Sequence, residues 1–254
     1  MQLFGVELWT KSKKDFLEQI GSDVKKEKKV WIATVNPEFM VESWSDKRFL
    51  NILQTKTSYN VIDGHGILWP LAIKNSNFQI PIFKKVKEFV DVFFGGKYRE
   101  KLITGVELME DLCAMAEKEK IPVYFLGGWE PEKVVECFQN KFKKLIIGGF
   151  AKDDFVETLH ARSLQNHAVI FVALGMKKQE FWIEENWEKL PVGIVMGVGR
   201  SFDYYAGSIK RAPKWMRQMG LEWLFSLIMD PKHRLVRQLK NLPVFVWKVM
   251  KVKL

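Results

Sequence analysis

Val30-Trp31-Ile32-Ala33-Thr34-Val35-Asn36-Pro37 is a run of six uncharged, strand-favouring residues closed by a polar break. β-Branched and aromatic side chains dominate it, which predicts a strand buried on both faces. Pro37 restricts Asn36 to an extended conformation. A helix is expected after it, through Phe39–Leu53. The same pattern recurs along the chain. Tyr59-Asn60-Val61-Ile62 stops at Asp63-Gly64-His65-Gly66, with a helix from near Ile67. Pro122–Leu126 stops at Gly127-Gly128, with a helix from about Pro131. Val169–Leu174 stops at Gly175 and leads to a helix over Gln179–Trp187, and Val192–Val198 is the last clear strand. Val6–Trp9 and Leu145–Ile147 are shorter apolar pieces. Further helices are expected from about Lys13 and from Thr104-Gly105 through Lys118. Buried strands alternating with helices mean an α/β fold with a mainly parallel sheet.

The chain has 254 residues, 47% of them hydrophobic and 28% charged. That length holds a full core without metal or disulfide staples, and the composition excludes disordered, collagen-like and coiled-coil chains. Cys113 and Cys137 form no disulfide framework and no Cys/His cluster has zinc spacing, so a metal site is not expected. Met1–Glu7 lacks the basic-then-apolar pattern of a signal peptide, and no apolar run reaches spanning length. The expected location is therefore cytoplasmic.

The net charge of +10 is concentrated at one end. From Lys210 to Leu254, seven lysines and four arginines face only Glu222 and Asp230. Nine of the ten net charges lie there. This divides the chain into a near-neutral body, 1–209, and a basic appendage, 210–254. Trp215, Met219, Trp223 and Leu227 recur every fourth residue, which reads as one helix face packed on the body. The segment after Pro231 interleaves Leu235, Leu239, Leu242, Phe245, Val246 and Trp247 with basic residues, the pattern of a helix lying in an anionic bilayer interface. Interleaved Trp and Lys also suit nucleic acid, but no nucleic-acid motif accompanies them, and none is expected as a partner. Residues 75–98 carry a second stripe, Ile82, Val86, Phe89, Val90 and Phe93, among lysines. It suits a bilayer or polyprenyl contact, a cover for the sheet, or a subunit contact in a homo-oligomer.

Ligands of parallel sheets bind beyond the carboxyl ends of the strands, so the residues there are the candidates. Asp63 stands between a buried strand and two glycines, where a carboxylate can act as general base or cap a helix. Gly127-Gly128 suits a phosphate cradle or a tight turn. The Gln179 amide can read a sugar hydroxyl or lie on a helix surface. No Gly-x-Gly-x-x-Gly or Walker sequence joins a strand to a helix, and Ser201 lacks a nucleophile elbow.

Together these residues resemble the WecG/TagA/CpsF glycosyltransferases, glycosyltransferase family 26. The resemblance runs through Thr34-Val35-Asn36-Pro37-Glu38, Asp63-Gly64-His65-Gly66, Thr104-Gly105 and Phe125–Gly128. It is densest over Gly175–Glu180, Gly197–Asp203, Ala206–Met216 and Gly220-Leu221-Glu222-Trp223-Leu224. It implies a Rossmann-like enzyme that transfers an N-acetylmannosamine-type sugar from UDP, with inversion and without a metal or other cofactor. The implied acceptor is a polyprenyl-diphosphate-linked N-acetylglucosamine at the inner membrane face, in teichoic-acid or related polysaccharide synthesis. The family's proposed base falls on Asp63, and its substrate-pocket positions fall on Thr34, Asn36 and Gln179. The resemblance also implies that the basic C-terminal appendage completes the site and binds the membrane.

Departing UDP needs cationic partners. Arg211 is assigned to substrate, with Arg217, Arg234 and Arg237 as further diphosphate or membrane contacts. The sequence differs from the family pattern at Lys177 (usually Pro), at Arg200-Ser201 (usually a small pair), at Ser226 (commonly Arg) and at Leu102 (usually Arg). Arg99 stands three residues before Leu102 and can replace the missing guanidinium. The alternative that these differences leave open is a non-catalytic or differently specific UDP-sugar-binding homologue.

Overall fold

The computed structural model describes residues 1–75, 80–152, 168–190 and 192–251, and within the last helix the side chains of 232–235 and 237 lie outside that description. The chain opens with a short antiparallel pair, β1 (Gln2–Leu3) and β2 (Val6–Glu7), so the expected Val6–Trp9 strand is one arm of a hairpin. Phe4 and Gly5 turn it with positive φ. There follow α1 (Lys13–Lys25), β3 (Val30–Val35), α2 (Pro37–Ser45) and α3 (Lys47–Asn51). A wider π-helical segment, Ile52–Lys56, leads into β4 (Tyr59–Ile62). The single helix expected over Phe39–Leu53 is thus broken. Asp46 is extended there, and its carboxylate accepts from the Phe49 N–H at 3.1 Å, capping α3.

Next come α4 (His65–Asn75), α5 (Ile82–Phe93), α6 (Gly105–Glu119), β5 (Val123–Gly127), α7 (Pro131–Lys141) and β6 (Ile147–Ala151). Then β7 (Ala168–Ala173), α8 (Lys178–Asn186), β8 (Val192–Gly197) and α9 (Ser201–Tyr205) complete the body. The basic appendage forms α10 (Lys214–Gln218), α11 (Glu222–Met229) and α12 (Pro231–Lys251).

Six strands make one sheet in the order β4-β3-β8-β7-β5-β6, with every pairing parallel. This is the expected α/β, Rossmann-like architecture. Alternation along β3 explains its uniform apolarity, since successive side chains enter opposite layers. Val30 and Ile32 join Phe16, Leu108, Leu112 and Phe138 on one face, while Trp31 and Ala33 pack on the other. The expected Trp215–Leu227 face is not one helix. Gly220 has φ +70° and separates α10 from α11, and Trp215 and Trp223 are exposed. The buried anchor of that region is Met216. Instead α12 packs on the body, burying Phe245 and Val249 against α2. Phe245 stacks on Trp44 at 6.2 Å.

Candidate active site

The carboxyl ends of β4, β3, β7 and β8 open into a cavity of about 880 Å³, large enough for a nucleotide-sized ligand. Asp63 lies in its wall directly after β4, where its N–H donates to the Val35 carbonyl at 2.8 Å. One carboxylate oxygen accepts from the Gly105 N–H at the start of α6, at 3.4 Å. Asp63 therefore does not cap the helix that follows it in sequence but touches the N-terminus of a later one. Burial pushes its carboxyl up to about 7, with the charge of Glu222 adding. The Gly105 N–H and Arg211 oppose this rise. A carboxyl group so placed can exchange a proton near neutral pH, as a general base must.

The two glycines after Asp63 have separate causes. Gly64 takes φ +125°. Gly66 makes room for Pro37, because a Cβ there would lie 2.5 Å from the proline ring. His65 between them is buried, and burial together with the Arg99 charge pulls its imidazole down to about 4. The ring is neutral at pH 7, and its Nε2 has no hydrogen-bond partner among the described residues.

The appendage lies over this floor. Gly220 sits on the His65 ring so closely that a Cβ would approach Cγ to 2.7 Å. Gly220→Ala adds that clash to a positive φ, so we expect it to lift α10 and α11 from the cavity and cost about 1–3 kcal/mol. Chemical denaturation measures this, and an unchanged midpoint would show the appendage to be unattached at this point.

Arg211 and Arg217 reach the cavity from the appendage. The Arg211 guanidinium donates to Glu222 at 3.4 Å and to Glu107 at 3.3 Å, and Arg217 donates to Glu107 at 3.2 Å. Arg99 also lines the wall, and its Nε is buried without a partner among the described residues. Arg234 and Arg237 lie on α12, with side chains outside the described set.

Three of the expected substrate positions line the cavity while meeting internal demands. The Thr34 hydroxyl donates to the Gly197 carbonyl at 3.3 Å, tying β3 to β8. The Asn36 side-chain oxygen caps α2, accepting from Glu38 and Phe39 at 3.0 and 3.1 Å. The Gln179 amide donates to Glu180 at 2.7 Å and accepts from the Gly199 N–H at 3.0 Å, so it clamps the loop after β8. Gly127 and Gly128 are elsewhere, since neither lines the cavity. Their positive φ values come with close packing on Ala173 and Phe202, and a Cβ would meet those neighbours at 2.7 and 2.9 Å. Among the described residues no group of three or more His, Cys, Asp or Glu has metal-holding geometry.

Residues 1–254 match the model of the Glycosyl transferase WecG/TagA/CpsF family. The chain belongs to this family. A relative from Bacillus subtilis (strain 168) is 28% identical over 226 residues, which is 87% of this chain and 78% of the relative. That relative is an N-acetylglucosaminyldiphosphoundecaprenol N-acetyl-beta-D-mannosaminyltransferase. As a WecG/TagA/CpsF member the protein is a glycosyltransferase.

The departures from the family pattern have local structural roles here. Lys177 has φ +73°, closed to proline, and its ammonium pairs with Glu42 and Asp46 at 2.7 Å each. Arg200 bridges Asp203 at 3.2 Å and Asp230 at 3.1 Å, tying the loop after β8 to the end of α11. Leu102 forms a parallel bridge to Ile62, which holds Thr104 and Gly105 beside Asp63. Ser226 is buried in the cavity wall.

Sequence reading passed over Glu107, Glu222 and Glu180, the carboxylates that hold Arg211, Arg217 and Gln179. Thr104-x-x-Glu107 looks like an ordinary capping pattern, and Thr104 does accept from the Glu107 N–H at 3.4 Å. Its second use, as an arginine partner, depends on a residue more than a hundred positions away.

Proposed function

We propose that the enzyme moves an N-acetylmannosamine-type sugar from UDP to a polyprenyl-diphosphate-linked N-acetylglucosamine, with inversion. The carrying observation is a desolvated carboxylate, Asp63, in one cavity with two guanidiniums of the basic appendage. The chain's similarity to a transferase with that acceptor supports the reading. An acceptor hydroxyl is a weak nucleophile at neutral pH. Its oxygen attacks the anomeric carbon as the bond to the UDP oxygen breaks, and its proton passes to Asp63. The electron pair of the broken bond leaves with UDP.

Arg211 and Arg217 face that developing charge. Glu107 and Glu222 hold the two side chains in place, which lowers the cost of ordering them when a diphosphate arrives. Thr34, Asn36 and Gln179 shape the pocket for the sugar and base, and Arg99 offers the guanidinium that Leu102 does not. The donor's charge is met by these side chains, so no resident cofactor is invoked. The appendage, 210–254, acts as the part that completes the site. No helix of the described residues is long and apolar enough to cross a membrane. On this reading the enzyme works as a peripheral protein at the inner membrane face, where its lipid-linked acceptor lies.

The test is the anomeric configuration of the product made from UDP-N-acetylmannosamine and a short-chain lipid-diphosphate acceptor, read by NMR. Direct displacement predicts inversion, and a retained configuration overturns it. A second prediction concerns pH. Asp63 must be ionised to act, so kcat/KM rises with pH up to about 7 and levels off above it. A flat profile from about pH 5.5 to 8 would remove Asp63 as the titrating base.

A further inference from the structure

Helix α5 turns apolar side chains both inward and outward. Inward, Val92 and Phe93 are buried, Phe89 stacks on Phe93 at 4.4 Å, and Phe89 meets Trp69 edge-on at 5.3 Å. Outward, Ile82, Val86, Val90 and Phe94 recur every fourth residue, with Phe83 beside them, and each is 46–68% exposed. The stripe read from the sequence therefore divides, with Phe89 and Phe93 facing the protein and Ile82, Val86 and Val90 facing away. A contiguous exposed apolar row of this kind marks an interaction surface.

What meets this surface is indicated by charge and by what adjoins it. Lys84 and Lys87 flank the row and are exposed. A second copy docked about a twofold axis would bring these lysines towards their own counterparts, an unfavourable pairing. Lys85 is the exception on this helix. It is buried, and its ammonium donates to the Met250 carbonyl at 2.7 Å, at the C-terminal end of α12 where carbonyls lack helical partners. Trp69 Nε1 donates to the Lys85 carbonyl at 2.8 Å. So α5 is fixed to both α4 and α12. Phe89 and Phe93 of α5, with Leu242 and Val246 of α12, line the apolar arm of the cavity that holds Asp63. Leu242 and Val246 are themselves exposed, so the outer surfaces of both helices border that arm.

We propose that α5 is a bilayer-docking helix. Its outer row inserts into an anionic phospholipid surface, its lysines meet the headgroups, and the apolar arm of the cavity opens toward a polyprenyl chain that remains in the membrane. The polyprenyl part rests on the transfer reaction proposed above, whereas the docking itself does not. An apolar helix face with basic flanks is the pattern that binds such interfaces.

The test uses the full chain and vesicles of phosphatidylglycerol and phosphatidylcholine, with binding read by co-sedimentation. Phe83→Glu/Val90→Glu changes two exposed positions that do not line the cavity. We expect it to lower vesicle partition by about tenfold or more, with an unchanged melting temperature. Phe150→Glu, which alters an exposed aromatic on β6, serves as control and should not change partition. Transfer to an acceptor embedded in vesicles should fall in parallel, while transfer to a water-soluble short-chain acceptor stays within about twofold. Equal partition of the double variant and wild type overturns the proposal. So does a wild-type dimer that the variant converts to monomer without loss of vesicle binding, which would assign the row to a second copy. If wild type transfers sugar to neither acceptor, the reaction is wrong, and the co-sedimentation arm still decides the role of α5.

Discussion

Asp63→Asn lowers kcat by about 10²–10⁴-fold, the contribution of a positioned general base, and leaves donor binding within a few-fold. Asparagine keeps an oxygen for the Gly105 N–H and nearly the same volume, so the loss reports proton transfer rather than a collapsed site. Its effect on stability has the opposite sign. In the folded protein Asp63 keeps its proton to about pH 7, against 3.8 ordinarily. Between those values the folded state binds more protons than the unfolded state, so Asp63 makes stability fall as pH rises through that window. Asparagine carries no charge, so the variant melts above wild type at pH 8. Full activity in Asp63→Asn, or a lower melting temperature at pH 8, would contradict this account of the carboxylate.

Arg211→Ala carries the second large effect, a loss of about 10²–10³-fold in kcat, on the scale of removing one donor from a developing anion. Arg211→Lys restores only part of it, because an ammonium cannot make the paired contacts of a guanidinium. The substitution has a second signature. Arg211 opposes the rise of the Asp63 carboxyl, and Glu222 and Glu107 promote it. Removing the guanidinium leaves those acids unopposed, so the acid limb of the pH–rate profile moves to higher pH. A loss of rate with no movement of the limb would show that Arg211 acts at a distance from Asp63.

The alternation of strands and helices along the chain was legible because each central strand is apolar on both faces and ends at a polar or glycine break. The interruptions were less legible. Nothing local in Phe39–Leu53 announces that Asp46 will cap a new helix. Leu145–Ile147 reads as a short apolar piece, yet β6 runs from Ile147 to Ala151 through Gly148, where a Cβ would come within 2.1 Å of the Tyr124 ring. Gly220 gave no sign that it must sit flat on His65. The site divides in the same way. Asp63, Thr34 and Asn36 were legible because strand ends collect ligands. The internal duties of Asn36 and Gln179, and the carboxylate partners of the arginines, depend on contacts across the fold. For Gly127-Gly128 the local pattern of strand, glycines and helix suited a phosphate equally well. Their packing against Ala173 and Phe202 became visible only with the sheet assembled.

The most direct measurement is UDP release by the purified full chain, with UDP-N-acetylmannosamine as donor, in the presence and absence of a short-chain lipid-diphosphate N-acetylglucosamine. Our account predicts release that depends on the acceptor and disappears in Asp63→Asn. Release of equal rate without acceptor, or no release with acceptor and anionic lipid both present, would contradict it.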